Sequence, residues 1–403
     1  MSQITKFYLA EFLKTQRYFI PIMILLLQAH DLSYTEIFVL YAIQSAVVFL
    51  LEIPSGVIAD QFGKKASIVF SRFCLIPAYL TFAFADTFWL FLVAMILMGI
   101  NKAFKSGTHK AFIYDYSEQC SDDISFSEVI GKGKFWARIG EALACAAGGV
   151  IAARYGFNVV FFFALAPAVL NFINALTYEK IEEKHKISKF KLKSHFGHIR
   201  DSLREIRGKK VVYRIIINAA VFAFCLEAAE KFFQPYMVQA KIPIAWFGFI
   251  YMAILLVSAF GSRYAYLFEK KFARNSIANV MGWIAVIPVV IIGLKFSSTA
   301  GIFMFMSIIF LRNVRRPSVI TELNCHIPSG KRATILSIDA LSRALLALAF
   351  LPVIGYVSDV YSMYIAMLAL GGVLVINQVL FSIPACPDDG ETSSLQVPGS
   401  TED

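Results

Sequence analysis

Charge is scarce in this sequence. Asp, Glu, Lys and Arg make up 16% of its 403 residues, where a soluble domain carries about a quarter. Hydrophobic residues make up 58%, 38 residues are Phe, and the mean hydropathy is +0.64. A surface with so few polar groups aggregates in water. That excludes a soluble globular protein and makes the lipid bilayer the natural solvent. Cysteine is sparse too. The six (Cys74, Cys120, Cys145, Cys225, Cys325, Cys386) show no metal-ligand spacing, and most lie in apolar runs. They read as packing residues, with no disulfide framework. There is no P-loop, no G-x-G-x-x-G after a strand and no H-E-x-x-H, so ATP drive from within this chain and zinc-protease chemistry are excluded. The six histidines are scattered. No Ser/His/Asp set can be assembled. The sequence reads as a protein that is not an enzyme and uses no cofactor or metal. A signal peptide's basic stretch, short apolar core and cleavage site are missing. The first apolar segment is therefore expected to stay as a membrane span.

What is present is apolar length. A helix needs about 20 apolar residues to cross about 30 Å of hydrocarbon. Twelve such runs lie near 7–29, 35–59, 66–85, 88–115, 133–153, 157–178, 211–238, 245–268, 277–295, 300–325, 333–356 and 362–383. The alternation of membrane strands is not seen. The long polar segment 179–214 holds twelve Lys/Arg and five Asp/Glu and divides the runs six and six. Part of it alternates apolar and basic residues. That part is either an amphipathic helix on the membrane surface or a solvated loop. The expected fold is an all-α integral membrane protein with 12 transmembrane helices in two pseudo-symmetric six-helix bundles. Its parts are an N-terminal bundle (1–178), a basic linker (179–210), a C-terminal bundle (211–383) and an acidic disordered tail (384–403).

The net charge of +10 does not mark a nucleic-acid binder, because the basic residues sit between apolar runs. With both termini placed in the cytoplasm, the cytoplasmic turns hold Lys64, Lys65, Lys132, Lys134, the twelve of 179–214, Lys270, Lys271, Arg274, Lys331 and Arg332. The outer turns hold Arg154, Lys241 and Lys295. This positive-inside asymmetry predicts a multi-pass protein of the cytoplasmic (inner) membrane.

The turn between the second and third runs, in GVIADQFGKK (56–65), has a pattern of its own. Gly63 supplies the reversal, Asp60 is placed to cap a helix N-terminus, and Lys64 and Lys65 hold the turn inside. Arg72 is expected to snorkel toward the same surface. Gly56, Asp60, Gly63, Lys64 and Lys65 match G-x-x-x-D-x-x-G-[KR]-[KR], the signature turn of the major facilitator superfamily, which this chain resembles. A degenerate copy, AYLFEKKFARNS (265–276), sits at the equivalent turn of the second half, with Glu269 in the place of Asp60 and Arg274 in that of Lys65. LEIPSGVIAD (51–60), AFKSGTHKAFIYD (103–115) and NCHIPSGKRATILS (324–337) resemble one bacterial branch of the superfamily, whose members are described as exporters. The antiporter signature G-P-x-x-G-G of the fifth helix corresponds to ACAAGG (144–149), which keeps Gly148 and Gly149 and lacks Gly-Pro. The resemblance implies alternating access by a monomer, with the Asp60 turn as a cytoplasmic latch against the start of helix eleven near Ala333 and Thr334. The alternative for that turn is a plain helix stop.

A charge inside a membrane helix costs about 3 kcal/mol on the insertion scale and usually faces a cavity and a partner. Three groups stand out by depth. Arg17, Glu227 and Arg312 fall ~20–24 Å from the cytoplasmic ends of runs one, seven and ten, at 1.5 Å per residue. By the resemblance those runs line the cavity, with run four. Glu230 and Lys231 lie beside them, and Glu227 and Lys231 have i,i+4 spacing. These residues are candidates to bind an anionic or polar solute or to carry a proton; the alternative is a structural ion pair. Lower down, Glu52 at ~12 Å and Lys105 at ~15 Å are matched in depth, with Lys102 one turn away. A pairing there suits gating or structure. Glu322, Asp339 and Arg343 form either a gate of the C-terminal half or a helix-packing ion pair. Arg138 and Glu141 read as a local i,i+3 pair, and Lys14 and Asp115 as interfacial.

The function expected is secondary active transport of a small organic solute, proton-coupled efflux (antiport) of a drug-like compound, siderophore or metabolite. The alternative, favoured by the central arginines, is proton-coupled uptake of an organic anion or siderophore. A membrane receptor or an enzyme on the same scaffold is the reading of another class.

Overall fold

The computed structural model describes residues 2–105, 107–119, 125–179, 210–269, 274–295, 298–327 and 332–384. Most of the expected basic linker, and all but Pro384 of the expected acidic tail, lie outside these residues. Among the described residues all regular structure is helical. The N-terminal half contains α1 (Gln3–Leu13), α2 (Met23–Ala29), α3 (Tyr34–Phe62), α4 (Lys64–Phe84), α5 (Phe88–Lys105), α6 (Thr108–Gln119), α7 (Phe126–Tyr155) and α8 (Val159–Leu176). The C-terminal half contains α9 (Lys210–Lys231), α10 (Phe233–Gln239), α11 (Ile244–Glu269), α12 (Arg274–Gly293), α13 (Ser298–Cys325), α14 (Arg332–Val360) and α15 (Met363–Leu380). Taking α1 with α2, α5 with α6 and α9 with α10 as broken rods gives twelve rods.

Among the described residues nine of these rods are long and apolar enough to cross a membrane. Ile20–Ala29 and Ile244–Ser258 are shorter apolar stretches in the first and eighth rods. The tenth, Ser298–Cys325, has the length but carries Arg312, Arg315, Arg316 and Glu322. Large apolar side chains such as Trp89, Phe162, Leu170, Trp283 and Val379 are exposed on the outside of the bundle, where lipid is their solvent. Inside, Phe19, Phe82, Phe91 and Phe161 pack the N-terminal half. Phe232, Phe233, Tyr251 and Phe305 pack the C-terminal half against Phe38.

The sequence predicts the first, fourth and seventh rods as unbroken, and the structure corrects this. The first leaves α-helix after Leu13 and resumes through a single 3₁₀ turn, Ile20–Ile22, with Pro21 inside it. In the fourth, Gly107 takes φ +76° between α5 and α6. At the junction of α9 and α10 the chain is interrupted at Phe232, and Pro235 has no N–H to bond the Lys231 carbonyl four residues back. Irregular backbone at membrane depth is tolerated where it is buried in protein or lines a wet cavity. Arg17, Lys105 and Lys231 all sit at or next to these breaks.

The two halves meet crosswise: α3, the second rod, packs on α14, the eleventh, and α7, the fifth, on α11, the eighth. This exchange is what a two-fold relation between six-rod halves produces. One end of the bundle carries Lys64, Lys65, Lys132 and Lys134 and is called here the basic end. At the opposite end the halves are sealed. Asp359 at the end of α14 accepts hydrogen bonds from the Tyr34 and Thr35 amides (2.9 and 2.8 Å) and from the Thr35 hydroxyl (2.6 Å). It thereby satisfies free donors of α3's first turn. Where α7 crosses α11 the backbones touch: a methyl group at Gly248 would lie 2.0 Å from the Cys145 carbonyl oxygen, and one at Gly149 would lie 2.7 Å from the Gly248 nitrogen. Only glycine fits at either position. Midway, Gln234 accepts from the Ile24 amide at 2.8 Å and donates to the Ile20 carbonyl at 2.9 Å. Among the described residues the hydrogen bonds joining the halves run from this midpoint to the sealed end.

Candidate functional site

A cavity of about 260 Å³ lies between the halves at mid-depth. The breaks bring its charged wall together. Arg17 comes from the interrupted first rod, Lys102 from α5, Glu227, Glu230 and Lys231 from α9, and Arg312 from α13. The three central residues of the sequence reading therefore face one space. Tyr41, Gln44, Gln234 and Tyr251 supply polar groups between them.

Each charge has a distinct setting. Arg312 is paired with Glu230. The Lys231 ammonium lies 3.8 Å from the centre of the Tyr41 ring, a cation–π arrangement. Lys102 donates to the Gln44 side chain at 2.6 Å. Arg17 meets Glu141 at 3.1 Å, and Glu141 also accepts from Arg138 at 3.1 Å. Glu227 is exposed to the cavity despite its depth and forms no ion pair within contact distance among the described residues. It lies in the field of Lys231, Arg312, Lys102 and Arg343. The expected Glu227–Lys231 contact is thus replaced: Lys231 turns to Tyr41, and its neighbour Glu230 takes Arg312.

Below this chamber, toward the basic end, the space continues along each half. On the C-terminal side a cavity of about 330 Å³ is lined by Glu227, Arg312, Arg316, Asp339 and Arg343. Asp339 and Arg343 pair at 2.7 Å. Glu322 is fully buried and lies outside the residues that line this cavity. Arg315, which the sequence reading passed over, is buried on the Ala278 carbonyl (2.7 Å) and the Asn218 side chain (2.6 Å) and braces the half from within. On the N-terminal side a cavity of about 600 Å³ is lined by Glu11, Lys14, Lys105 and His109 among others. Arg17, Lys102, Lys231 and Arg312 face Glu227 and Glu230 in the centre, so the wall is net positive.

Other expectations need correction. Glu52 does not pair with Lys105. The crosswise packing of α3 on α14 puts Glu52 in the field of Arg343, while Lys105 lies among Arg72, Lys14, Arg17 and Glu11. Arg72 does not snorkel; it is 2% exposed, turned inward near Tyr79 and Tyr178. Lys14 is half-buried on Glu11, and Asp115 pairs with Lys64. Lys65 donates to the Tyr178 carbonyl. The turn's two lysines thus fasten α4 to α6 and to the end of α8. Gly63 takes φ +92°, as a reversal requires. Asp60 is exposed, and α4 starts without a side-chain cap, so Asp60 does not cap it. A methyl group on Gly56 would meet nothing within 4 Å. The side chains of Glu269 and Arg274, and the turn between α11 and α12, lie outside the described residues. Among the described residues no group of three His, Cys, Asp or Glu is placed to hold a metal.

Sequence reasoning missed Glu11, His109 and Asp359 as members of these networks, and it saw Glu141 with Arg138 but not with Arg17. The i,i+3 spacing of Glu11 to Lys14 was visible in the sequence. The bond of His109 to Glu11, at 3.3 Å, joins two rods and was not.

Comparison with known proteins yields a consistent group. The family model described as Major Facilitator Superfamily matches residues 8–314. A Bacillus subtilis (strain 168) protein described as an uncharacterized MFS-type transporter, YxaM, is 22% identical over 376 residues, 91% of each chain. The crystal structure of the nucleoside transporter NupG superposes with a TM-score of 0.77 at 10% identity, covering 94% of this chain and 98% of that one. A bacterial homologue of the human lysosomal transporter Spinster, in an inward-facing and unoccupied conformation, superposes with a TM-score of 0.74 at 17% identity, covering 94% and 95%.

Proposed function

The chain belongs to the major facilitator superfamily, and from that premise we propose that it carries a small organic anion together with a proton by alternating access. Membership makes it a multi-pass membrane transporter rather than an enzyme. The observation that carries the anion reading is the central wall, four Lys/Arg against two Glu around about 260 Å³. A lipophilic drug would further desolvate Lys102 and Lys231, whose contacts are the uncharged Gln44 and Tyr41, which is costly. A carboxylate or phosphate pairs with them.

Proton coupling rests on Glu227. The Glu227 carboxylate lies in the attractive field of Lys231, Arg312 and Lys102. An anion that neutralises Arg312 and Lys102 removes that attraction, so anion and proton bind cooperatively, and linkage makes the effect reciprocal. Cooperative binding of both to one state is what symport needs; antiport needs competition. The basic end is the cytoplasmic one, by the positive-inside rule. The state described is then inward-open, with Asp359 and the Gly149–Gly248 contact as the closed outer gate. One chain encloses the whole cavity, so a monomer suffices. In this reading Asp60 acts in the opposite state, latching the closed cytoplasmic side. Asp60→Asn should slow turnover several-fold while membrane insertion stays normal; unchanged turnover would reduce the turn to a helix stop.

Proteoliposomes and a panel of radiolabelled mono-, di- and tricarboxylates and organic phosphates test the coupling. With an inward acidic gradient, uptake of at least one panel anion should rise above the no-gradient rate. Glu227→Gln should keep anion exchange and lose the gradient's effect. Flux indifferent to the gradient in the wild type removes proton coupling. Movement of neutral or cationic solutes alone removes the anion.

A further inference from the structure

The cavity of about 600 Å³ in the N-terminal half has a charge balance that its own carboxylates do not meet. Lys14, Lys102, Lys105, Lys110, Lys134 and Arg138 line it, against Glu11 and Glu141. Both glutamates are already engaged. Glu141 serves Arg17 and Arg138, and Glu11 serves Lys14 and His109. Lys102 has only the uncharged Gln44. Lys105 is half-buried and makes no hydrogen bond or ion pair among the described residues, and neither Lys110 nor Lys134 is neutralised there.

Behind this wall stands Arg72. It is 2% exposed, and none of its three guanidinium nitrogens has a hydrogen-bond partner among the described residues. It lies within electrostatic reach of Lys14, Lys105, His109 and Glu11. The break at Gly107 adds to the field. It brings the first turn of α6, with His109 and Lys110, onto the wall, and a helix N-terminus carries partial positive charge. Cations that outnumber the carboxylates of a partly enclosed space repel one another and are poorly solvated. The group that completes such a site bears more than one negative charge and several acceptor oxygens. A single carboxylate would satisfy one lysine and leave the others.

We propose that this cavity is a second anion site, adjoining the central chamber through Lys102, that holds a phosphate-class group of two or more negative charges. Two sources offer that chemistry: a soluble organic phosphate staged on its way to the central chamber, or the headgroup of an anionic phospholipid. The site goes beyond the transport proposal and does not depend on it, because its occupancy is read without flux.

The test titrates the purified full-length chain with inorganic pyrophosphate, following the thermal unfolding midpoint and the heat of binding, with sulfate at equal ionic strength as the reference. Pyrophosphate should raise the midpoint above the reference. Lys105→Gln should weaken its apparent affinity roughly tenfold, about the value of one charge-assisted contact. Lys134→Gln, on the exposed rim and harmless to folding, should weaken it by a smaller factor, and Lys241→Gln at the sealed end should leave it unchanged. Two results would overturn the proposal: no midpoint shift beyond sulfate in the wild type, or affinity lost in Arg312→Gln while intact in Lys105→Gln, which puts the anion in the central chamber. Nanodiscs separate the sources. Weaker pyrophosphate binding in discs containing phosphatidic acid, whose phosphomonoester carries up to two charges, than in phosphatidylcholine discs identifies a lipid headgroup as the resident; equal binding identifies the soluble anion.

Discussion

Arg312→Gln is expected to raise the KM for the transported anion roughly 10- to 100-fold, since a hydrogen bond to a charged partner is worth about 1.5–3 kcal/mol and each 1.4 kcal/mol is tenfold. Arg312 is the cation common to the central chamber and the C-terminal cavity below it. It is also the partner of Glu230, so the single substitution leaves a carboxylate without its counter-charge. The double variant Arg312→Gln with Glu230→Gln separates the two roles. If Arg312 serves the anion, the double variant stays as poor as the single one in proteoliposome uptake. If Arg312 only neutralises Glu230, removing both restores transport. Arg312→Lys should recover part of the affinity, because it keeps the charge and loses the two-pronged geometry.

Gly248→Leu is expected to abolish transport with the protein folded and inserted. At the sealed end a methyl group alone would come within 2.0 Å of the Cys145 carbonyl oxygen. Overpacking of this kind costs about 1–3 kcal/mol, and here the outer ends can relieve it by separating. A penalty of about 3 kcal/mol on one of two states shifts their ratio by roughly a hundredfold. The variant should therefore rest open at the outer face. Gly149→Ala should show a weaker form of the same shift. If Gly248→Leu transports like the wild type, the crossing of α7 and α11 is not a gate.

The loss of Gly-Pro from ACAAGG acquires a physical meaning from this contact. What the segment keeps are the residues that need no Cβ. Gly149 meets Gly248, and a methyl group at Gly148 would lie 2.0 Å from the Tyr18 carbonyl oxygen. The glycines were visible in the sequence, but the partner surface was not. Rod number and the common level of Arg17, Glu227 and Arg312 on one cavity were readable because apolar length and 1.5 Å per residue are one-dimensional quantities. Partnerships were readable only along a single helix. Asp339 with Arg343 follows from spacing. Arg17 with Glu141, Glu52 near Arg343 and Lys64 with Asp115 depend on how rods cross. The breaks near Arg17 and at Phe232 carried weak marks, Pro21 and Pro235, which membrane helices often tolerate. Gly107 marked the third.

In the proposed mechanism the embedded charges border a water-filled, electropositive passage open on one face at a time. Cysteine labelling reads all three attributes together. With the six native cysteines replaced by Ser, a single Met98→Cys on the central chamber is exposed to anionic and cationic methanethiosulfonates from each face. The expected result is reaction from the cytoplasmic face in the resting wild type, faster for the anionic reagent by roughly tenfold or more, and reaction from the outer face in Gly248→Leu. Silence from both faces, or a faster cationic reagent, would contradict it.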